Sequence, residues 1–262
     1  MKTIKKIFMA DASGEASTPK AIFNYLIVFL TVGLVLMSSF DSLGLNLDFS
    51  FIKDYDIRIM DGFILMLKIS ALSLIFSLII GIVSAVLQMS DILFLRYLSK
   101  TYVALVRGTP LIMQIYLFFY IIGTAWGLDN RFWSGVFILS IFEGAYISEI
   151  IRGSLLAFDQ NQIDSAKAVG FSKFQTIRYV VVPQLVAQTL PALTGQFASI
   201  IKDSSLLSLI AVIEITQTMR EISSINFKLF ECYILLGVLY LVVTLPLSLV
   251  TKYLERRFDY EA

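Results

Sequence analysis

The chain has 262 residues, of which 57% are hydrophobic and only 16% charged, and it contains no histidine. A soluble domain of this length carries more charge and shorter apolar runs, whereas the apolar runs here suit helices that cross about 30 Å of hydrocarbon. They lack the strict alternation of transmembrane barrel strands. The net charge of +1 gives no indication of nucleic-acid binding, and the lack of histidine with a single cysteine, Cys232, removes the usual zinc and haem ligand sets. The sequence therefore predicts an all-α, polytopic membrane protein without a metal or cofactor.

Six apolar stretches are predicted to span the membrane. They run over residues 21–39, 62–88, 103–123, 132–151, 186–201 and 232–250. A seventh stretch, 205–215, is too short to cross alone, and only Lys202-Asp203-Ser204 separates it from its predecessor. Because three residues cannot form a turn outside the membrane, we interpret residues 186–217 as one broken or re-entrant element.

The positions of Lys and Arg support six crossings with both termini in the cytoplasm. In that topology fourteen basic residues fall on internal segments and five on external loops, which obeys the positive-inside rule. A seventh crossing would place the basic residues Lys252, Arg256 and Arg257 outside. The tail formed by residues 252–262 is therefore predicted to be cytoplasmic.

The N-terminal part of the chain is predicted to be a polar, flexible cytoplasmic tail over residues 1–20, followed by a transmembrane helix over residues 21–40. A cleaved signal peptide is the alternative for this helix. The apolar stretch is longer than a typical signal-peptide core, begins twenty residues into the chain, and has no A-x-A site before Asp41. We therefore expect a retained anchor helix, followed by an acidic outer loop over residues 41–61.

A stretch of more than thirty mixed polar and apolar residues, 153–184, is the most unusual segment for a membrane protein. Asp159 or Asn161 can cap a first short helix, in which Ile163, Ala166 and Val169 recur at helical spacing. Gly170 is well placed as the C′ residue that ends this helix.

The second half of this segment has its own helix signals. Ser172 and Gln175 have the spacing of a capping box, which opens a helix through Val180. Pro183 is expected to prevent the helix from continuing. A hairpin of this form, with its first helix exposed, suits docking into the groove of a partner protein, and an ordinary structured loop between spans is the alternative.

The sequence of this hairpin resembles a known element. Asp164-Ser165-Ala166, then three residues and Gly170, followed later by Val180-Val181-Val182-Pro183, is similar to the EAA loop of binding-protein-dependent ABC permeases. That family has Glu-Ala-Ala, three residues and Gly, then an aliphatic-Leu-Pro ending. This chain carries Asp164 in place of Glu, Ser165 in place of Ala and Val182 in place of Leu, and these changes are conservative in size.

Three further motifs resemble those of the polar amino acid branch of the family, the histidine, glutamine, glutamate and arginine permeases. They are Arg107-Gly108-Thr109-Pro110, Gly144-Ala145-Tyr146 continued by Glu149-Ile150-Ile151-Arg152-Gly153, and Lys202-Asp203-Ser204-Ser205-Leu206-Leu207. The resemblance covers the chain from about residue 62 to the C-terminus. Residues 1–60 lie outside it.

The resemblance implies a five-span ABC permease core over residues 62–251, with a cytoplasmic coupling loop at 153–184 and one extra N-terminal transmembrane helix. It also implies a location in the bacterial inner (plasma) membrane and pairing with itself or a sibling subunit. Two cytoplasmic ATPase subunits and a periplasmic or extracellular solute-binding protein complete the importer. The residues implied in coupling to the ATPase are Asp164, Ser165, Ala166, Gly170 and Pro183.

The sequence itself agrees that ATP hydrolysis belongs to another chain. It contains no G-x-x-x-x-G-K-[ST] motif, so it has no phosphate cradle of its own. No residue pattern indicates covalent chemistry. We therefore expect a transport subunit and not an enzyme.

Glu143 lies about halfway along the fourth predicted span, where a charge costs several kcal/mol and therefore needs an explanation. The functional interpretation is a residue of the translocation path that touches the solute, for example through an ammonium group. The alternatives are a buried carboxylate paired with Lys68 or a backbone donor, or a protonated one. Lys68 is predicted one turn into the second span, from which its ammonium can reach the outer interface.

Other polar residues within or beside the spans are candidates for the same path or for structural and gating roles. The path candidates are Thr109, Gln114, Gln196, Lys202 and Asp203. Arg107, Glu149 and Arg152 are candidates for a structural or gate role, since Glu149 and Arg152 can pair at i, i+3. Pro110 is explained by the first position of a helix.

The function predicted from these features is the permease subunit of an ATP-driven importer for polar amino acids. An ABC permease for another small solute is the first alternative, because the coupling loop does not specify cargo. A self-sufficient secondary transporter is the second, although such a protein does not need a long helical hairpin inside the cell. The sequence leaves open which amino acid is carried and whether the partner permease is identical.

Overall fold

The computed structural model describes residues 18–44 and 46–258, and this part of the chain is helical with no strand. The all-α prediction is confirmed. The chain divides into two compact units, Met1–Asp48 and Phe49–Ala262, which are described separately. Most of the predicted N-terminal tail and the last four residues of the predicted C-terminal tail lie outside the described residues.

The first unit contains one long helix, α1, over Thr18–Ser42. Its segment Pro19–Ser42 is apolar enough to cross a membrane, and its large apolar side chains are exposed. A helix of this length rises about 1.5 Å per residue and therefore exceeds the thickness of the hydrocarbon core. These features agree with the predicted anchor helix.

The second unit carries the remaining helices. Its first half contains α2 (Phe51–Asp54), α3 (Asp56–Gln88), α4 (Leu93–Arg107), α5 (Leu111–Tyr116), the π-helical segment π1 (Leu117–Gly123) and α6 (Arg131–Leu156). Its second half contains α7 (Gln160–Ala168), α8 (Lys173–Thr176), the π-helical segment π2 (Ile177–Val181), α9 (Val182–Asp203), a 3-10 segment (Ser204–Ile210), α10 (Ile215–Asn226) and α11 (Leu229–Phe258). The predicted outer loop 41–61 is thus partly helical, and the predicted tail 252–262 continues α11 up to Phe258.

The helices α3 and α6 form the centre of the second unit. Small side chains recur on the buried face of α3, namely Gly62, Ser70, Ser73, Ser77, Gly81, Ser84 and Ala85. Ser73 donates to the Val136 carbonyl of α6 at 3.3 Å, and further along both helices Gln88 donates to Ser148 at 2.9 Å. The two helices therefore run in the same direction in close contact, as small residues allow in membrane bundles.

The segment between α3 and α6 is sharply bent. The sequence predicted one span over residues 103–123, but α4 and the helix made of α5 and π1 meet at 111°. The bend lies at Gly108, Thr109 and Pro110, and Pro110 stands immediately before α5 with extended backbone angles and not at its first position. The stretch 103–123 is therefore not one continuous helix, because a proline disfavours helical angles in the residue before it and removes a backbone donor. That it crosses the membrane stays a prediction.

The helix α9 runs against α6 in the opposite direction. Leu185 near its start packs against the Ile151 cluster at the end of α6, whereas Gln196 reaches Glu143 in the middle of α6. The start of α11 packs beside the end of α9, since Ile201 and Cys232 share one apolar cluster. The end of α11 therefore lies on the same side of the bundle as the segment 157–181.

Within residues 18–44 and 46–258, four helices are long and apolar enough to cross a membrane, namely α1, α3, α6 and α11. The bent pair formed by α4 with α5–π1 can supply a fifth crossing. Because α3 and α6 run in the same direction, this pair must return the chain to the side where α3 began. A total of six crossings also requires α9, which contains the fifth predicted span, 186–201; this helix is more polar and does not meet the same criterion. Six crossings therefore stays a prediction.

The contact between α3 and α6 can be tested at Gly81. A Cβ atom at this position would lie 2.5 Å from Ile147 Cγ2, whereas a Cβ at Gly237 on α11 would meet nothing within 4 Å. We expect Gly81→Ala to destabilise the protein by about 1–3 kcal/mol through overpacking, and Gly237→Ala to be neutral or slightly stabilising. Thermal unfolding of the detergent-solubilised variants measures the difference, and equal midpoints for the two would contradict the packing described.

Candidate coupling hairpin and intramembrane polar cluster

The first helix of the hairpin, α7, begins and ends as its sequence predicts. The Asp159 carboxylate accepts the backbone N–H of Asn161 at 2.9 Å, which identifies Asp159 as the cap. At the other end, the Phe171 N–H donates to the Ala166 carbonyl and the Gly170 N–H to the Lys167 carbonyl. This is a Schellman motif, and Gly170 adopts φ +87°, a conformation that favours glycine.

The second half of the hairpin is only partly as predicted. Ser172 and Gln175 form both bonds of the capping box and open α8. The prediction that Pro183 stops the helix is wrong, because π2 and α9 continue without a break through this residue. A proline ring clashes with the carbonyl four residues earlier, which here belongs to Tyr179 within π2. The wider π-helical turn relieves that clash and makes the hairpin continuous with α9.

The hairpin is closed by its own contacts. Ala166 is only 6% exposed because α7 packs on π2, and the Gln184 amide donates to the Gln162 side chain. Ala166 therefore faces the interior of the hairpin, whereas the neighbouring Asp164 and Ser165 are exposed. The Lys167 ammonium lies 3.0 Å from the Asp164 carboxylate, and this hydrogen bond lowers the pKa of Asp164.

The outer surface of the hairpin carries several large apolar side chains. Five large apolar or aromatic side chains are exposed on it: Val169, Phe171, Phe174, Ile177 and Tyr179. A shallow groove of about 420 Å³ lies beside them, and Ser165, Val169 and Val180 are among its lining residues. Exposed apolar side chains grouped in this way are typical of surfaces that contact a protein partner or the membrane.

Glu143 is fully buried in the middle of α6. The Gln196 amide of α9 donates to its Oε2, and the Asp203 carboxyl lies close enough to interact with it. Its Oε1 has no partner within the described residues. The predicted alternative of a pair with Lys68 is wrong, since Lys68 is exposed on α3, three turns from the helix start, where it lines a groove with Arg58 and Asp61.

Lys202 and Asp203 are the last two residues of α9. The break that the sequence predicted at these residues therefore comes only after Asp203. The helix tightens to a 3-10 segment after Asp203 and changes direction at Ala211, which has φ 52°. Lys202 is exposed and Asp203 half-buried. The structure therefore brings Glu143, Gln196 and Asp203 together and leaves the Lys202 ammonium at the surface.

Thr109 and Gln114 lie at the bend between α4 and α5, away from the contacts of Glu143. The Gln114 amide donates to the Val106 carbonyl at 2.7 Å and to Thr109 Oγ1 at 2.9 Å, and the Thr109 hydroxyl donates to the Leu105 carbonyl at 2.8 Å. These bonds satisfy backbone groups that the broken helix leaves free. A part in solute contact stays a prediction for both residues.

Arg107, Glu149 and Arg152 meet at the end of α6 that leads into the hairpin. Arg152 binds Glu149 through two bonds of 2.8 Å, and Arg107 approaches the same carboxylate at 3.3 Å. The predicted pair at i, i+3 is present, but the link to Arg107 and the amide of Gln88 was not predicted. Gln88 is the last residue of a long apolar helix. Its isolated amide was the feature of the sequence that could have predicted a polar contact at this helix end.

The residues of this bundle match a known family. A model of the binding-protein-dependent transport system inner membrane component matches residues 77–260, which include both the hairpin and the cluster around Glu143. This chain belongs to that family. It is therefore a permease of the ABC importer class.

Permeases of other transport systems are similar in sequence to this chain over most of its length. The permease is 33% identical over 202 residues to a glutamine transport system permease of Escherichia coli, covering 76% of this chain and 92% of the relative. It is 34% identical over 194 residues to an L-cystine transport system permease of Bacillus subtilis, covering 74% and 83%. A probable glutamine ABC transporter permease of Bacillus subtilis is 30% identical over 200 residues, covering 76% and 93%.

Solved structures agree with the fold of the permease. An amino acid ABC transporter crystallised with histidines superposes with a TM-score of 0.74 at 32% identity, covering 81% of this chain and 100% of that one. A methionine ABC transporter in an inward-facing conformation superposes with a TM-score of 0.61 at 15% identity, which shows the fold alone.

The turn between α7 and α8 generates a local prediction. Substituting Gly170 by Ala places a Cβ on a backbone with φ +87°, at a cost of about 1–2 kcal/mol, whereas Asn tolerates this conformation better. Hydrogen exchange over residues 160–176 should therefore accelerate in Gly170→Ala and less in Gly170→Asn. A Cβ at this position would meet no atom within 4 Å, so a steric clash cannot explain a difference between the variants. Equal protection in both variants would show that the preference for glycine does not come from backbone strain.

Proposed function

We propose that this permease imports polar amino acids, driven by ATP that separate cytoplasmic ATPase subunits hydrolyse. The observation that carries the proposal is the closed hairpin, whose exposed apolar surface projects from the ends of the bundle helices and lies within the residues that match the family. The relatives named above as glutamine and cystine permeases support the class of cargo.

The hairpin provides the docking surface for an ATPase subunit. Apolar area is stabilised by about 25 cal/mol for each Å² removed from water, so side chains such as Phe174 and Tyr179 favour a covering partner. Asp164 and Ser165 lie on the exposed side of α7 and are available for polar contacts with it. Two such permease subunits, identical or not, would present two hairpins to two ATPase subunits.

The polar cluster around Glu143 supplies acceptors for the ammonium group of a zwitterionic solute, and a group of opposite charge, Lys202, lies at the surface next to Asp203 in sequence. Oε1 of Glu143 and the Asp203 carboxyl can accept an ammonium, and Gln196 holds Glu143 in place. Lys202, adjacent to Asp203 in sequence and exposed, can meet a carboxylate. Because every amino acid carries both groups, this arrangement suits the backbone of the cargo and does not choose a side chain.

The proposed orientation places the hairpin and the end of α11 in the cytoplasm. The opposite end of the bundle, which carries α2 and α10, would then face the solute-binding protein outside the bacterial inner membrane. An odd number of crossings within the second unit, including α9, is required for this arrangement. With α1 as an additional span, both termini are cytoplasmic.

Docking of the ATPase can be tested at Val169, which is 73% exposed on the hairpin. A carboxylate placed there would be buried without a partner in the docked state, so we expect Val169→Glu to weaken binding of the ATPase by about tenfold or more. Val169→Ile is the matched control and should bind as the native protein does. Affinity of the purified permease for its ATPase is measured by pull-down titration, and unchanged affinity of Val169→Glu would contradict docking at this surface.

Solute contact at Glu143 can be tested by Glu143→Gln. Hydrogen bonds to a charged group contribute about 1.5–3 kcal/mol, so loss of the carboxylate should lower uptake of radiolabelled L-glutamine by about tenfold or more. Glu255→Gln, which removes an exposed carboxylate near the end of α11, is the control. Uptake equal to that of the control, in a variant that still binds the ATPase, would assign Glu143 a purely structural part.

A further inference from the structure

The inner ends of three bundle helices meet at a single carboxylate, that of Glu149. Oε1 accepts from Arg152 Nε at 2.8 Å and from Gln88 Nε2 at 3.2 Å. Oε2 accepts from Arg152 Nη2 at 2.8 Å and lies 3.3 Å from Arg107 Nη1. A carboxylate offers about four lone-pair directions. Three hydrogen bonds use them here, and Arg107 adds a charge pair at the same carboxylate.

The donors come from different helices. Gln88 is the last residue of α3, and Arg107 is the last residue of α4, directly before the bend at Gly108. Arg152 lies on α6 with Glu149 itself and orients the carboxylate from its own helix. Because Gln88 also donates to Ser148 at 2.9 Å, the end of α3 is attached to α6 at two adjacent positions.

Arg107 is held at this position by a second contact. Its guanidinium carbon lies 5.3 Å from the centre of the Tyr146 ring, within the range of a cation–π interaction. Tyr146 and Glu149 are three residues apart on α6 and therefore lie on one face. The end of α4 is thus attached to the same face of α6 by a charge pair and an aromatic ring.

Glu149 lies close in sequence to the start of the hairpin. Only three residues separate the end of α6 at Leu156 from the start of α7 at Gln160. Movement of the hairpin therefore acts first on the end of α6. The side chain of Glu149 is only 21% exposed, so water competes weakly for its hydrogen bonds. We therefore expect the ends of α3 and α4 to move together with the end of α6.

We propose that Glu149 is a positioning residue that clamps the inner ends of α3, α4 and α6 into one rigid unit at the base of the hairpin. Displacement of the hairpin by the ATPase is then passed to three helices instead of one, and through α4 to the bend that leads into α5. The inference rests on the proposed function, since it requires that an ATPase displaces the hairpin.

The amide in Glu149→Gln preserves the shape of the side chain but loses the charge and one of the two acceptors. The variant should therefore keep the fold and docking while the helix ends separate. Arg107→Gln removes only the link to α4 and tests the same clamp if the first variant does not assemble. Asp91→Asn is the control, because Asp91 is a fully exposed partner of Arg96 on α4 with a separation of 3.8 Å.

The experiment uses the complex of the permease with its ATPase and binding protein in liposomes. It compares ATP hydrolysis with uptake of a mixture of radiolabelled polar amino acids that includes L-glutamine. In Glu149→Gln we expect uptake per ATP hydrolysed to fall about tenfold while hydrolysis and ATPase binding persist, and Asp91→Asn should keep the native ratio. If the two substitutions act through one clamp, the double variant Arg107→Gln/Glu149→Gln should be no worse than Glu149→Gln alone.

A distance measurement provides a readout that loss of stability alone would not move. Spin labels replace Leu105 on α4 and Leu156 at the end of α6, both exposed, in a Cys232→Ser background. We expect one narrow distance distribution that is the same with and without ATP and vanadate, and a broader one in Glu149→Gln. A native coupling ratio together with an unchanged distribution in Glu149→Gln would overturn the clamp, whereas absence of ATP-dependent uptake by the native complex would overturn the proposed function instead.

Discussion

The close contact of α3 with α6 is the interaction on which the rest of the structure depends. In a membrane, helices associate through van der Waals contact between small residues and not through exclusion of water. Gly81 of α3 faces Ile147, and Gly144 of α6 faces Ile80, with no space for a Cβ at either glycine. This contact fixes the two helices in the same direction and thereby requires the segment between them to return across the bundle.

Two candidate functional regions follow from this arrangement. In the middle of the bundle, α9 packs against α6 and brings Gln196 and Asp203 to Glu143. An isolated carboxylate within a membrane span has a high free-energy cost, and these polar neighbours reduce it. At one end, the tips of α3, α4 and α6 come together where the hairpin begins. The proposed solute site and the proposed coupling hairpin are therefore both connected to α6, and α9 continues directly from the hairpin to the cluster around Glu143.

The elements that the sequence predicted well are those with local causes. The caps at Asp159 and Ser172 and the turn at Gly170 depend on residues within one or two helical turns. The bend at Pro110 did have a local signal, the Gly108-Thr109-Pro110 sequence. The continuous helix through Pro183 and the partner of Glu143 depend on a π-helical turn or on how distant helices pack, for which the sequence carries no local signal. The small residues along α3, from Ser70 to Ser84, were a signal in the sequence for the α3–α6 contact that went unused.

The central claim is that this permease moves solute only as part of an ATP-driven complex. The most direct measurement is uptake of a mixture of radiolabelled polar amino acids into liposomes that contain either the permease alone or the permease with its ATPase and binding protein. The account predicts uptake by the complex with ATP, and none by the complex without ATP or by the permease alone. Uptake by the permease alone, at a rate that ATP and the ATPase do not change, would contradict it.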